Sequence, residues 1–338
     1  MDTPYGQRLF LSVSDGLVSA VNEEGTLFPG AQFDANLPFD GISFPELISR
    51  EQKAIAACRT EQTGFVLTTG CHSLKQARAA VFAARKEEIP IMICMEADEE
   101  GENPSGGSAV ASLIALQELG ILAFGITGAL PPKECAEVCE ALAPFAKVPL
   151  LAAPTAGQPN PILPELYDLA PEKMAELIPS ILDCGVSILM ENAGVTPEHV
   201  ERIREQLFTY IAPPVPERED EEEQIILSNA MEFFVISNER LEFTEPIACT
   251  QDMSDDLLSA EEDSFDVLQI VVETPDDALV FEDNEHLAGL PVMFCSDDEI
   301  SLKAALLLYD GRAMVDSETA IEPEVLQEIA DKYGCVIY

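Results

Sequence analysis

Three carboxylates and one histidine come at or just after the ends of short apolar segments. They are Glu96, Glu191, Asp15 and His72. Carboxylates that converge can act as acid and base or bind a hard cation. In a chain this acidic, the same carboxylates are more often expected as solvated residues at strand ends. His72 is the strongest of the three histidines as a site candidate, because it follows a predicted strand, whereas His199 lies in the first turn of a predicted helix.

Cysteine spacing argues against a metal centre. The number of cysteines is nine, which is odd, and no CxxC pair occurs. Cys135 and Cys139 lie four residues apart on a predicted helix, but there is no second pair to complete a tetrahedral site. We therefore predict free, reduced thiols and no metal site. The glycine-rich segment GENPSGG (101–107) lacks the lysine of a phosphate loop and is predicted to be an ordinary loop.

The elements that must position these residues form a regular series between residues 65 and about 210. Continuous apolar segments alternate with segments of helical periodicity, which indicates parallel strands covered by helices. The fold expected is a TIM-type (β/α) barrel, whose active site lies where the chain leaves the strands. The predicted strands are 65–70, 90–97, 123–129, 148–157 and 186–194, and the predicted helices are 74–87, 109–120, 132–146, 171–185 and one beginning after Thr196.

A proline-rich and then acidic segment predicts a boundary. PPVPEREDEEE (213–223) is typical of an exposed linker. We accordingly predict a barrel over 1–212, a linker over 213–224 and a partial α/β region over 225–338. In that last region, paired strands are predicted for 224–238 and a loop or short helix for 252–264, before strand–helix units return.

The charge limits the classes of partner. The 62 acidic and 18 basic residues give a formal net charge of -44, which repels nucleic acid and anionic membranes. No apolar run approaches the ~20 residues of a membrane span, and the N-terminus does not resemble a signal peptide. We predict a cytoplasmic protein that binds a small molecule, a basic protein or a second copy of itself.

The segment VSILMENAGVTPEHVERI (186–203) resembles the end of the homocysteine S-methyltransferase barrel. Its Gly194 and the run from Thr196 to His199 match a glycine and the Thr-Pro-Glu-His that follow the last strand in that family. Other segments similar to the family are 11–20, 87–113, 123–129 and 148–159. The resemblance implies a (β/α) barrel and methyl transfer to the homocysteine thiol, which a zinc ion held by three cysteines activates.

The departures from this family fall on the residues that the chemistry needs. Gly128, Asn192 and Ala193 stand where the resemblance places the zinc cysteines, and Thr69 and Thr155 stand where it places a glutamate and an asparagine. Glycine and alanine offer no ligand atom, and asparagine offers at best a neutral oxygen. We predict that zinc is absent.

The second region resembles the start of the pterin-binding barrel of cobalamin-dependent methionine synthases. Segments 233–240 and 291–338 carry this likeness, but Val272, Thr274 and Cys295 replace polar family residues, as Asp316 replaces an asparagine. A folate or corrinoid ligand is implied by the resemblance alone. The second barrel is predicted to stop partway, and the first to be shortened, since residues 16–65 are expected to be too few for two further strands.

Two hypotheses remain open. The chain could be a divergent methyltransferase that moves a methyl or one-carbon group without zinc, or a non-catalytic module that uses the barrel for binding or assembly. A protein partner or a second copy could then cover the truncated second region. The candidate pocket is Asp15, Thr69, His72, Glu96, Thr127, Gly128, Thr155, Glu191 and Asn192.

Overall fold

The chain divides into two compact units in the computed structural model. The first comprises Met1–Leu113 and Gly120–Arg218, and the second comprises Ile114–Leu119 and Glu219–Tyr338. The structure describes residues 7–35, 41–214, 224–239, 241–250, 253–262 and 265–338.

In the described part of the first unit, eight strands form a closed barrel in sequence order. The last strand pairs with the first in parallel, which closes the ring. This confirms the TIM-type barrel predicted from the alternating pattern. The strands are Leu9–Ser14 (β1), Leu17–Val21 (β2), Leu27–Asp34 (β3), Phe65–Cys71 (β4), Ile91–Glu96 (β5), Ala123–Thr127 (β6), Leu150–Ala152 (β7) and Val186–Met190 (β8).

Helices follow the strands from β3 onward. Local sequence explains where several of them begin: Ser73 caps one by accepting a hydrogen bond from the Gln76 backbone N–H, and proline at the first helical position starts three others. The helices are Phe44–Cys58 (α1), Leu74–Lys86 (α2), Ala109–Gln117 (α3), Pro132–Leu142 (α4), Pro171–Asp183 (α5) and Pro197–Thr209 (α6), with a short 3₁₀ turn at Ala143–Phe145.

The expectation that residues 16–65 cannot hold two strands is wrong. They hold β2 and β3, because both connections before β3 are hairpins and no helix forms between residues 7 and 35, all of which are described. Asp15 and Gly16, with φ angles of 52° and 77°, make the two-residue turn that Asp-Gly favours. The barrel is shortened by two missing helices and not by missing strands, and β2 runs antiparallel to both neighbours.

The barrel interior is filled with apolar side chains that alternate along each strand. Its core includes Leu11, Leu67, Met92 and Cys94, all fully buried. Burying one leucine side chain stabilises the fold by about 1.5–3 kcal/mol. Because side chains alternate with a period of two, Glu96 lies in phase with Met92 and Cys94 at the end of β5. The interior therefore changes from apolar to polar at the carboxyl ends of the strands.

The second unit contains a parallel sheet and a hairpin. Among the described residues, five parallel strands are ordered as in the sequence, which is typical of successive strand–helix units, and two further strands pair antiparallel, as predicted for 224–238. The strands are Gln224–Ser228 (β9), Phe233–Ser237 (β10), Ile247–Ala248 (β11), Leu268–Val271 (β12), Val292–Cys295 (β13), Met314–Val315 (β14) and Val336–Ile337 (β15), and the helices are Met253–Glu262 (α7), Pro275–Asn284 (α8), Glu299–Leu308 (α9) and Pro323–Tyr333 (α10), with a 3₁₀ turn at Glu285–Leu287.

The hairpin packs on the sheet. Leu227 of β9 shares an apolar cluster with Met293 and Met314, and the partly buried Arg312 donates a 2.9 Å hydrogen bond from Nη1 to the Ile226 carbonyl. Of the predicted linker 213–224, residues 215–223 lie outside the described residues. None of the described helices combines the length and the apolar character needed to cross a bilayer.

Candidate functional site

His72 and Glu96 meet at the mouth of the barrel, where the parallel strands end. His72 Nε2 lies 2.9 Å from Glu96 Oε2, and both side chains are partly exposed. An imidazole held by a carboxylate has a fixed orientation, and if Nε2 donates this bond, Nδ1 is left as the proton acceptor. A pair of this kind can serve as a general base.

A register shift between β4 and β5 produces this pair. Thr68 pairs with Ile93, but Cys71 pairs with Met95, so β4 contains one extra residue. Gly70, with φ 69°, lies within the shift. Without the extra residue, Glu96 would stand opposite Cys71; the bulge brings His72 to that place. His72 is also held through its backbone, because its N–H donates to Gln76 Oε1 at 2.9 Å.

Thr69 and Thr127 lie beside the pair. Thr127 is the register partner of Glu96 on β6. Thr69 Oγ1 accepts a 2.7 Å hydrogen bond from Gln32 Nε2. Gln32 is a mouth residue that sequence reasoning missed, because β3 was not predicted; the alternation within LFPGAQFD was the available signal.

Gly128 has no room for a side chain. Its φ angle is 141°, a conformation that residues with a Cβ rarely adopt, and a Cβ there would overlap the carbonyl oxygen of Ala97. That carbonyl belongs to the strand end next to β6. A cysteine at position 128 would therefore require the backbone to move.

Asn192 joins three strand ends through its side-chain amide. Nδ2 donates to the carbonyls of Gly128 at 3.1 Å and Ala153 at 2.6 Å, and Oδ1 accepts from the Ala193 N–H at 2.8 Å. These carbonyls follow β6 and β7, while Asn192 follows β8. The amide thus holds the rim of the barrel together, and we call these contacts the Asn192 clasp.

Of the other three candidates, two bond to the backbone and the third lies in an exposed turn. Glu191 Oε1 accepts a 2.7 Å hydrogen bond from the Val13 N–H of β1, and the buried Thr155 hydroxyl donates to the Gly157 carbonyl at 2.9 Å. Asp15 is exposed in the first hairpin turn. Of the nine predicted residues, the structure therefore brings together His72, Glu96 and Thr127 in one place and Gly128 with Asn192 in another. Within the described residues, no group of three or more His, Cys, Asp or Glu side chains is placed to hold a metal ion.

An acidic cleft of about 450 Å³ adjoins Glu96. Most of its lining comes from the loop between β5 and α3. This loop includes segment 101–107, which the sequence predicts to be an ordinary loop. The loop is braced by its own side chains: Asp98 Oδ1 accepts from the Glu100 and Glu102 N–H groups at 3.1 and 2.8 Å. The lining residues are Glu96, Ala97, Asp98, Glu99, Glu100, Glu102, Asn103, Pro104, Ala129 and Gln158.

Three thiols of the first unit, Cys71, Cys94 and Cys139, have pKa values raised above the usual value. All nine cysteines lie in described parts of the chain and are free. Burial raises the pKa of Cys71 to about 12 and also raises the pKa of Cys94 well above its usual value. On α4, a hydrogen bond with Cys135, followed by burial, raises the pKa of Cys139. None of these groups is poised to act as a thiolate ligand.

The second unit has its own cleft, of about 400 Å³, at the ends of β12 and β13. Cys295 lines it, and burial, then the neighbouring Asp316, raises the pKa of this thiol to about 12. Val272 is fully buried, and the Thr274 hydroxyl accepts a hydrogen bond from the Asp277 N–H as the cap of α8. Val272 and Thr274, two of the positions where the resemblance implies polar residues, therefore serve packing and helix capping.

Comparison with known proteins finds relatives among methionine synthases. The chain is 27% identical over 184 residues to a methionine synthase of Mycobacterium leprae and 28% identical over 151 residues to that of Mycobacterium tuberculosis. These matches cover 48% and 41% of this chain but only 15% and 12% of the relatives.

A solved structure and a family model give further matches. The apo form of the homocysteine methyltransferase MmuM from Escherichia coli aligns with 54% of this chain and 63% of its own, at 12% identity and a TM-score of 0.44. The sequence model described as homocysteine S-methyltransferase matches residues 23–207, which is more than half of the chain. The chain therefore belongs to the homocysteine S-methyltransferase family.

Proposed function

We propose that this chain is a zinc-independent, small-molecule-binding member of its family, which does not use zinc-thiolate chemistry to methylate homocysteine. The observation that carries the proposal is the Asn192 clasp. At a position where the family resemblance places a zinc cysteine, the side chain is bonded to the Gly128 and Ala153 carbonyls. The rim is thus stabilised by an amide in place of a metal ion.

The residues at the three expected zinc positions do not fit zinc. Gly128 cannot carry a side chain without displacing the Ala97 carbonyl. The Nδ2 of Asn192 is a donor and its Oδ1 accepts the Ala193 N–H, while the alanine side chain offers no ligand. A structural or catalytic zinc needs three or four protein ligands, typically thiolate, imidazole or carboxylate. No step of the proposed function passes through the metal.

Small-molecule binding is supported by what remains at the mouth. The His72–Glu96 pair is partly exposed and adjoins the acidic cleft, whose volume lies in the range of small-ligand sites. Polar groups at the carboxyl ends of barrel strands are where this fold places ligands. The charge of the lining favours a ligand that carries an amine or another cation.

A second candidate function is methyl transfer without zinc, and the His72–Glu96 pair is the observation that favours it. With Nε2 donating to Glu96, Nδ1 of His72 could accept the proton of a substrate thiol. The sulfur would form the new bond to the methyl carbon. The donor would leave with the electron pair of its broken bond to that carbon.

Metal analysis and a methyl-transfer assay separate these functions. We expect no stoichiometric zinc in the purified protein, and no turnover of homocysteine with methylcobalamin, methylfolate or S-methylmethionine. Stoichiometric zinc bound by the native protein would refute the proposal. Turnover without zinc would favour the second candidate, provided that His72→Ala abolishes it while His286→Ala, at an exposed histidine of the second unit, does not.

A further inference from the structure

An apolar cavity of about 160 Å³ lies inside the barrel, at the end opposite the mouth. It lies where β1, β3, β4 and β5 begin and where the antiparallel β2 ends. Its walls are formed by Leu9, Ala20, Phe28, Phe65 and Met92. The next inward-facing residues along three of these strands, Leu11, Leu67 and Cys94, are fully buried in the core. The core therefore separates the cavity from the mouth.

Small residues in β2 and β3 leave this space unfilled. Barrels of this kind usually fill their interior with layers of bulky branched side chains. Here β2 presents only Ala20 to the cavity, and β3 has Gly30, whose side-chain position is taken by the Phe65 ring. Protein interiors contain few voids larger than a water molecule, and an empty void lowers stability in proportion to its volume. A molecule that fills this cavity would recover that stability.

The lining of the cavity selects an uncharged apolar molecule. None of the lining side chains carries a charge or a hydrogen-bond donor. At the exposed rim, the Gly64 N–H donates to the Pro29 carbonyl at 2.9 Å, so these two backbone groups are already paired. Water inside would therefore lack the two to four polar partners that it needs. A cavity of about 150 Å³ with a similar aliphatic and aromatic lining stays dry and binds benzene or xenon.

We propose that this cavity binds one small, uncharged aromatic molecule of about the size of benzene, entering beside the exposed Pro29 and Gly64. Affinity comes from removing the apolar surfaces of the ligand and the lining from water. The Phe65 ring and the Met92 thioether both make favourable contacts with an aromatic ring. This inference goes beyond the role proposed for the mouth, because the two sites lie at opposite ends of the barrel and select different ligands.

Benzene is the probe, and the sample is the full chain with ¹³C-labelled methionine methyl groups. The methyl resonance of Met92, identified by its absence in Met92→Leu, is expected to shift and saturate as benzene is added, because a bound ring would contact it. The resonance of Met174, buried on α5 outside the cavity, is expected to stay in place. A Met92 signal that does not move up to the solubility limit of benzene would overturn the proposal. Equal, unsaturated shifts of both signals would overturn it as well, since they would show non-specific partitioning.

A cavity-filling variant completes the test. Ala20→Ile is expected to weaken benzene at least about tenfold, because the new side chain and the ligand compete for the same space. Its matched control is Ser19→Ile, which adds the same side chain on the outward face of β2 and is expected to leave the affinity unchanged.

Circular dichroism of each variant establishes that it folds. Should Ala20→Ile not fold, the smaller Ala20→Val is expected to weaken benzene by a lesser factor. Native affinity in a folded Ala20→Ile, or in Ala20→Val if only that variant folds, would refute the proposal. Because the mouth takes no part in this binding, the result is independent of the zinc and methyl-transfer measurements. Failure of benzene to bind would therefore leave the proposed function standing.

Discussion

Replacing Asn192 by alanine should destabilise the first unit by about 2 kcal/mol. The variant removes three hydrogen bonds, to Gly128, Ala153 and Ala193, and each contributes about 0.5–1.5 kcal/mol. The Asn192 side chain is half-buried, so water can replace some of the lost hydrogen bonds. We therefore expect a total loss in the lower half of the range obtained by summing the three bonds.

Asn192→Cys and Asn192→Asp sharpen this prediction. Cysteine restores the residue expected from the family but cannot bond both carbonyls, so we expect a loss close to that of alanine. Aspartate would place an oxygen against the carbonyl oxygens of Gly128 and Ala153, and we expect a loss about 1 kcal/mol larger still.

Urea denaturation followed by circular dichroism measures these differences, since the chain has no tryptophan for fluorescence. With a slope of about 2 kcal/mol per molar urea, a loss of 2 kcal/mol moves the midpoint of the first unit by about 1 M. Asn160→Ala is the control, because Oδ1 of Asn160 accepts two hydrogen bonds in an exposed loop, and its loss should be under about 1 kcal/mol. If Asn192→Cys is as stable as the native chain, the clasp does not stabilise the rim and the argument against a zinc site weakens.

Three further predictions follow from backbone strain and burial. Gly128→Cys should lower the melting temperature sharply or prevent soluble expression, because the new Cβ overlaps the Ala97 carbonyl. Burial raises the pKa of Glu51, so the folded state holds that proton more tightly than the unfolded state. Glu51→Gln should therefore stabilise the protein at pH 7, and the gain should vanish as the pH falls below the unfolded pKa. In iodoacetamide labelling read by mass spectrometry, the half-exposed Cys184 should react well before the buried Cys94.

A Gly128→Cys protein that melts within a few degrees of the native chain would show that the rim can move. For Glu51, the control is Glu46→Gln: hydrogen bonds from Ser43 lower the pKa of Glu46, so its stabilising effect is present at neutral pH and is lost as the pH falls. A gain for Glu51→Gln that is the same at pH 4 and pH 7 would contradict the argument. Equal labelling rates for the two thiols would mean that the barrel opens readily.

Within the barrel, the sequence predicted the strands that are buried on both faces and missed β2 and β3, which hairpins connect. Continuous apolar runs such as the one at β5 reveal parallel strands directly. By contrast, β3 contains a proline and a glycine. Position 30 needs glycine because the Phe65 ring fills the space that a side chain there would occupy. That reason depends on a residue distant in the chain and has no local signal.

The candidate site was predictable residue by residue but not as an arrangement. His72 and Glu96 were both identified by their place after a strand, yet their contact depends on the extra residue in β4. The partners of Asn192 are backbone carbonyls 64 and 39 positions away, which no side-chain motif encodes. No sequence pattern marks the buried Asn103 amide nitrogen, which has no partner among the described residues.

The hairpins that replace two helices have a consequence for how the barrel folds. Strands β1, β2 and β3 pair with one another across short connections. Hairpins of this kind form within about 1–10 μs. Closure requires β1 to find β8, and the Glu191–Val13 contact that extends this seam joins residues 178 positions apart. Closing so long a loop carries a large entropy cost and slows folding. We therefore expect the seam between β1 and β8 to be the last part of the barrel to form and the first to open.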